Sequence, residues 1–575
     1  MVGEITRTEV VLAALLTALV CLVFRRYPAF SAKAAALFHA STSHIGLYVL
    51  AAMLLPLVLR LVVLPWLPSP EPWVADEFSH LLVADTLAAG RLANPPHPLW
   101  RHLETFYILQ RPTYSSIYPI GQAITLAVGK ALTGNPWVGV LLAVMLMCGA
   151  TSWMLFGCLP ASWAAVGGLL AALDYGLAPK WVDSYWGGAF CAFGGALLFG
   201  ALCRLRRSPS RTMALMAGLG WSIVWLTRPF ESLLPFMILW GLIGAFITRD
   251  PRLWRRWLGP IILILSIQIF AGCVTAFHNS AVTGSFTTLP YQLSQQVYGV
   301  PQSLLWQEAI EEPALRFAEL KELYWWQREV KDRTRTQPVL WLADILYTTW
   351  EWFVNRWYSL PILLLVCLLK DRQVILGVGM MACALVAGVL YPFFFPHYIA
   401  AYSCVIFFLI IRGMMTLYQW SFRGRAVGHV VVLFLIFGGL MTGLRIVPLR
   451  AILGLSHNTP QAGRRVQVSD RLMRFGGRHV VFVRYGANHN FHDEWVHNAA
   501  DIDASPIVWC RASDPIDETE VTRYYKDRHF WVATVDSDTV RVSPYQPGLQ
   551  LSISTESPGG NSRDWVPEKD PRIKK

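Results

Sequence analysis

The chain has 575 residues, 54% of them hydrophobic and only 15% charged, with a formal net charge of +12. A soluble protein carries about a quarter charged residues, so the composition excludes an ordinary soluble enzyme. The positive charge does not point to nucleic acid either, because much of the Arg stands in short clusters beside apolar segments, as cytoplasmic loops do. Apolar runs recur from residue 9 to 447, many near the roughly 20 residues a helix needs to cross a bilayer. The expected class is a polytopic α-helical membrane protein of about 11–13 spans, with a small C-terminal α/β extracytoplasmic module.

Residues 9–24 could pass for a signal peptide, but no small-residue cleavage site follows and Arg25 and Arg26 come after the apolar run. An uncleaved first span is expected. Further candidate spans are 45–66, 118–133, 137–157, 163–179, 186–203, 213–227, 230–247, 257–278, 341–368, 374–395, 397–417 and 429–447. Basic clusters at Arg25/Arg26/Lys33, Arg204–Arg211, Arg249–Arg256, Lys370/Arg372 and Arg423/Arg425 mark the cytoplasmic side. They put the loop 67–117, residues 279–340 and everything after 448 outside. Four apolar segments lie between the loop and the Arg204 cluster, one too many for that parity. The segment 118–133, short and containing Gly121, Gln122 and Lys130, is expected not to cross; 163–179 is the rival. Nine of the ten Cys lie in or beside apolar segments, and no Cys-x-x-Cys, zinc pattern or disulfide framework is implied.

The predicted organisation is a membrane domain over 1–449 and an extracytoplasmic α/β module over 450–550, followed by a disordered tail over 551–575, rich in Pro, Gly, Ser and charge. Within the module, 478–485, 505–511 and 529–535 are expected strands, with a helix over 514–526. The module is polar enough to fold in water.

The strongest pointer to chemistry is the acidic pair Asp76 and Glu77, just past a hydrophobic span and at the head of a loop full of Trp, Pro, His and Arg. Phe78, Leu81, Leu82 and Leu87 fit one side of a helix ending at Gly90. Asp76 could simply cap that helix, or serve as a general base, and a cap would itself fix the carboxylate's position. His97, Arg101 and His102 follow, in a loop longer and more aromatic than a connector needs; a cationic interfacial loop is the plainer reading. Arg228, with Glu231 one turn on, interrupts a pair of spans on the expected outer side and could bind an anion or form a structural ion pair. Lys180 and Asp183, Arg356, and His397 with Tyr398 stand at outer helix ends, where snorkelling and aromatic anchoring are ordinary. In the module, His489, His492, Asp493, Glu494 and His497 lack a metal-ligand spacing, and Trp495 beside Glu494 is a candidate sugar platform.

An acidic pair opening a long first external loop, then an amphipathic helix, then Tyr118-Pro119 at the next apolar segment, resembles the GT-C membrane glycosyltransferases, in particular the protein O-mannosyltransferase and aminoarabinose-transferase branch. The resemblance covers roughly residues 45–450; the extra N-terminal span and the C-terminal module depart from it. It implies a polyprenyl-phosphate-linked sugar donor, an extracytoplasmic glycan, lipid or protein acceptor, and a multi-pass protein of the cytoplasmic (inner) membrane with its active site facing outside. Asp76 and Glu77 would then be the catalytic pair, while Arg228, Lys180, Asp183, His97, Arg101, His102, Arg356, His397 and Tyr398 would be the candidates for substrate binding. No cofactor is implied, and no ligand pattern indicates a divalent metal. Two other classes compete: a transporter or lipid flippase, whose polar groups should sit at midplane in broken helices, and a non-catalytic cell-envelope assembly protein, which would not need Asp76.

Overall fold

The computed structural model describes residues 6–65, 67–177, 179–249, 254–452, 460–512 and 518–546. The expected tail at 551–575 and the start of the expected helix at 514–526 lie outside them. The protein is a polytopic α-helical membrane protein with a C-terminal mixed α/β region. Six helices among the described residues are long and apolar enough to cross a membrane, and shorter apolar helices of 10–17 residues pack with them.

The N-terminal helices are α1 (Arg7–Arg26), α2 (Pro28–Ser41) and α3 (Ile45–Val63). A Thr6–Glu9 capping box starts α1, and Arg25 and Arg26 close it, favourably placed for the helix dipole. The loop carries α4 (Ala75–Ala88) and the two-residue antiparallel strands β1 (Ile108–Leu109) and β2 (Ser115–Ser116). Then come α5 (Gly121–Thr133), α6 (Trp137–Cys158), α7 (Ala161–Leu177), the single turn α8 (Pro179–Val182), α9 (Ala189–Leu205) and α10 (Arg211–Thr227).

Side-chain contacts sort the helix ends into two levels. At the level of Asp76, Arg60 of α3 pairs with Asp183, Trp137 donates to the Val182 carbonyl, and Glu77 accepts from the Tyr185 amide. At the opposite level, Arg207 reaches the Gly157 carbonyl and His39 meets Ser162. Both ends of α5 stand at the Asp76 level, one beside Tyr118 and the other leading into Trp137. Its 13 residues span about 20 Å at 1.5 Å per residue, so α5 does not carry the chain to the far side. At that far level a disulfide joins Cys158 and Cys203, two neighbouring helix ends 45 residues apart in sequence. No spacing in the sequence implied this pair: each cysteine lies at the end of a separate apolar helix, and only the packing of α6 on α9 brings them together.

The chain continues through α11 (Leu233–Arg249), α12 (Trp254–Thr283), α13 (Pro290–Tyr298), α14 (Ala318–Thr336), α15 (Pro338–Phe353), α16 (Ser359–Leu363), α17 (Arg372–Val389), α18 (Ser403–Tyr418) and α19 (Gly428–Ile452). The single span expected over 341–368 is broken. Helix α15 ends at Phe353, and Asn355 turns the chain, donating to Asp174 and accepting from the Trp357 amide. A 3-10 turn, α16 and a second 3-10 turn then run to Leu368. The hairpin β3 (Ser421–Phe422) and β4 (Arg425–Ala426) exposes Arg423 and Arg425 before α19.

After α20 (Pro460–Phe475) comes a four-stranded sheet in the order β6 (Ile507–Arg511), β5 (His479–Tyr485), β7 (His529–Val535), β8 (Val540–Pro544), with α21 (Glu518–Tyr524) between β6 and β7. Strand β5 is parallel to both neighbours and β8 is antiparallel to β7. A parallel sheet needs both faces covered. On one face Val481, Val483, Trp509 and Trp531 pack with Val468 and Leu472 of α20. On the other, Val480, Phe482, Val508 and Cys510 share a core with Val521 and Tyr525, and with Leu82, Leu99, Leu103, Ile108 and Tyr114 of the membrane domain's loop. The module is therefore not self-contained: the loop supplies part of its second apolar layer.

The seam is pinned by Arg511, which donates to the Glu104 carbonyl at 2.6 Å, pairs with Glu319 at 3.0 Å, and pairs with the buried Glu494. Removing one partner of a buried pair costs about 3–5 kcal/mol, since the other charge is left uncompensated. Arg511→Met is therefore expected to lower thermal stability and open the seam to limited proteolysis, whereas Arg511→Met with Glu494→Gln should recover much of the loss. Equal behaviour of the single and double variants would remove Arg511 as the pin.

Candidate functional site

Helix α4 starts without a side-chain cap: its N-cap is Val74. Glu77 instead ties the chain before the helix to the segment preceding α9. One of its carboxylate oxygens accepts from the Trp73 amide at 3.0 Å and the other from the Tyr185 amide at 3.0 Å, and the residue is 1% exposed. Burial pushes its carboxyl up to about 7, against the pull of those amides. Asp76, one residue earlier and partly exposed, turns a different way and accepts from the Tyr118 hydroxyl. Burial raises its pKa, while Tyr118 and the nearby Arg228 cation oppose the rise. Neither acidic residue is the N-cap.

Four more groups surround this carboxylate. His80, one turn along α4, stacks on the Tyr118 ring at 4.4 Å; burial, with a contribution from Arg228, pushes its pKa down to about 3, so it is neutral. Tyr291 of α13 meets Tyr118 edge-on at 5.6 Å. Arg228 ends α10, and its guanidinium lies 4.1 Å from the centre of the Tyr398 ring. Burial works against the Arg228 cation, but Tyr398 and Glu231 hold it above its ordinary pKa.

Beside this group lies a cavity of about 280 Å³. Its walls come from the end of α10 (Trp225, Thr227), from α12 (Thr275, His278, Asn279) and from extramembrane α13 and the 301–307 loop. Arg228, Glu231, Tyr291 and Tyr398 line it, with Arg228 its only Lys or Arg among the described residues. Asp76 and His397 do not line it; Tyr118, which donates to Asp76, meets the lining Tyr291 edge-on. His397 is buried beneath Trp186 and Tyr398, with ring centres 5.0 and 4.8 Å away.

The other predicted residues are engaged elsewhere. Lys180 donates to the Trp352 carbonyl, and burial lowers its pKa to about 8. Asp183 pairs with Arg60 at 3.2 Å and Arg356 with Glu351 at 3.2 Å. His97 meets Asp503 at 3.1 Å and Tyr525 at 3.2 Å, and His102 lies 3.7 Å from Glu520, both across the seam to the module. Arg101 is exposed above the Trp100 ring. Trp495 cannot be a sugar platform: it is 0% exposed and packs edge-on against Trp509, while Glu494 is spent on Arg511. Sequence reasoning missed His80 and Tyr291. His80 carried a usable signal, four residues after Asp76 and so on the same helix face; Tyr291 carried none.

No family model and no curated protein matches the chain. Among solved structures it is similar to ArnT from Cupriavidus metallidurans. For the apo state, identity is 13% over 86% of this chain and 93% of that chain, with a TM-score of 0.45. For ArnT bound to undecaprenyl phosphate, identity is 12% over the same shares, with a TM-score of 0.46. It is also similar to the oligosaccharyltransferase AglB from Archaeoglobus fulgidus in complex with an inhibitory peptide and a dolichol-phosphate, at 10% identity over 86% of this chain and 74% of that chain, with a TM-score of 0.34.

The Glu77 environment gives a test of sign. A carboxyl whose folded pKa is raised contributes stability below its unfolded value, and loses it as pH rises through the folded one. Glu77→Gln stays neutral at every pH but turns an amide N–H₂ toward a backbone N–H. The variant should be less stable than the parent near pH 4.5, and the gap in thermal midpoint should shrink as pH approaches 7. A gap that widens over that window would contradict the assigned direction.

Proposed function

We propose that the protein is a membrane glycosyltransferase that moves a sugar from a polyprenyl-phosphate donor to an acceptor hydroxyl by an inverting single displacement. The observation that carries this reading is one cation, Arg228, on the wall of a cavity made jointly by membrane helices α10 and α12 and extramembrane α13, with the Asp76 carboxylate within its electrostatic reach. That is the depth at which a lipid phosphate lies, and ionisable groups there are costly unless used.

In this reading Asp76 takes the proton from the acceptor hydroxyl as its oxygen attacks the anomeric carbon. The bond from that carbon to the phosphate oxygen breaks, and polyprenyl phosphate leaves. The leaving group is already a phosphate, so strong acid catalysis is unnecessary; charge stabilisation by Arg228 suffices, and a guanidinium meets two phosphate oxygens at once. Tyr118 orients the base and favours its ionised form. In this reading the Asp76 end of the bundle faces away from the cytoplasm, which is supported by Arg204 and Arg207 at the opposite helix ends. Polar groups at one membrane boundary, rather than in broken helices at midplane, favour surface chemistry over transport.

Purified protein incubated with a panel of radiolabelled undecaprenyl-phosphate sugars should release label from the lipid. Asp76→Asn should fold normally and lose about a hundredfold or more in turnover, the scale of general-base loss; near-parental turnover would end this assignment. Arg228→Lys should also be impaired, because an ammonium lacks the fork. Tyr118→Phe removes a donor that favours the Asp76 carboxylate. The acid limb of its kcat/KM profile should move to higher pH, and an unmoved limb would exclude Asp76 as the titrating base.

A further inference from the structure

Five consecutive residues at the start of α4 are each held by a neighbouring group. Asp76 accepts from Tyr118, and Glu77 accepts from the Tyr185 amide. Ser79 meets the Tyr107 carbonyl at 2.7 Å and Ser116 Oγ at 2.6 Å, and His80 stacks on Tyr118. All of these partners belong to the membrane domain and its loops. The fifth residue, Phe78, is held from the C-terminal module. Its ring stacks on His497 with centres 4.2 Å apart and planes 9° from parallel. The Arg465 guanidinium of α20 lies 4.9 Å from the Phe78 ring and 4.8 Å from that of Trp509.

Arg465 is itself fixed by the module's backbone, donating to the Trp495 carbonyl at 3.2 Å and to the His497 carbonyl at 2.9 Å. One guanidinium thus ties the segment carrying His497 to the ring that His497 covers. The imidazole contributes only its face: neither ring nitrogen has a hydrogen-bond partner among the described residues, and the side chain is 4% exposed. One turn further along α4, Leu82 enters the apolar layer beneath the sheet.

We infer that the C-terminal module works as a clamp on the Asp76 helix: His497 and Arg465 are positioning residues that set α4 through Phe78, and with it the carboxylate two residues earlier. The inference rests on Asp76 being the base. It assigns the module to the catalytic geometry rather than to acceptor docking. An α4 uncapped at Val74 needs such outside support, since a displacement of about 1 Å at a catalytic group can cost about a hundredfold in rate.

The test uses the full chain in detergent, with the radiolabelled undecaprenyl-phosphate sugar panel as substrate and hydrogen–deuterium exchange over residues 73–82 as a substrate-independent readout. His497→Ala should speed exchange in that segment about tenfold or more and lower kcat at least tenfold, with KM for the lipid donor unchanged. His497→Phe keeps the stacked ring without nitrogens and should restore both. Arg465→Ala should behave like His497→Ala. Should His497→Ala fail to fold, Phe78→Leu removes the same stack from the membrane side and should give the same kcat loss. Parental exchange and kcat in His497→Ala, beside an inactive Asp76→Asn, would overturn the clamp and leave the base standing. An active Asp76→Asn would overturn the base whatever the exchange shows. A His497→Phe variant as slow as His497→Ala would show that the imidazole nitrogens matter, and would also overturn the clamp.

Discussion

The rest of the structure depends on how the second face of one small sheet is covered. Three parallel strands bury both faces, and the module owns only α20 for one of them and part of the layer for the other. The remainder is Leu82, Leu99, Leu103, Ile108 and Tyr114, all from the loop between α3 and α5. A loop of this length would ordinarily be mobile. Here it is the floor of a hydrophobic core, so its polar residues sit where the sheet puts them. His97 and His102, which seen alone suggest a ligand-binding loop, are spent on that seam against Asp503, Tyr525 and Glu520.

The same accounting separates the charges that close on themselves from those that remain open. Taking a charge from water costs several kcal/mol unless it is paired. Arg60 with Asp183, Arg356 with Glu351, Arg412 with Asp371 and Arg511 with Glu494 and Glu319 each meet that cost with a carboxylate. Arg228 has a tyrosine face at 4.1 Å and carboxylates only at longer range, and it stands on a cavity wall. A cation left in that condition has capacity for an anion, and this sets it apart from Lys180 and Arg356, which sequence alone ranked beside it.

What the sequence made legible follows from the range of each interaction. Burial in lipid acts on every residue of a span, so the apolar runs and the class were readable, as were β5, from its alternation, and β6 and β7, which resemble it. Strand β8 was missed because it is an antiparallel edge strand whose exposure alternates between half-buried and exposed. The break at Asn355 was missed because one polar residue in an apolar run weighs little in any window, yet it meets Asp174, far away in the chain. Asp76 and Arg228 stood out as charges at a membrane boundary. Tyr291 could not, since an aromatic residue after Pro290 is ordinary until α13 folds back over Tyr118. Trp495 was misjudged for the converse reason: a Trp in a polar segment looks exposed until the partner that buries it is known.

In the proposed mechanism the two adjacent acids at the head of α4 divide structural from chemical work within one turn of helix. Neighbouring residues on a helix point about 100° apart, so Asp76 and Glu77 cannot face the same surroundings. Glu77 faces inward and spends both oxygens on backbone amides, one before the helix and one from the segment preceding α9. That fastens the chain before the helix to the segment before α9, while Asp76 meets the Tyr118 hydroxyl and its own backbone amide. Asp76 stands half-buried between the Tyr118 hydroxyl and the field of Arg228, and burial raises its pKa; in the proposed mechanism these are the surroundings of the proton acceptor.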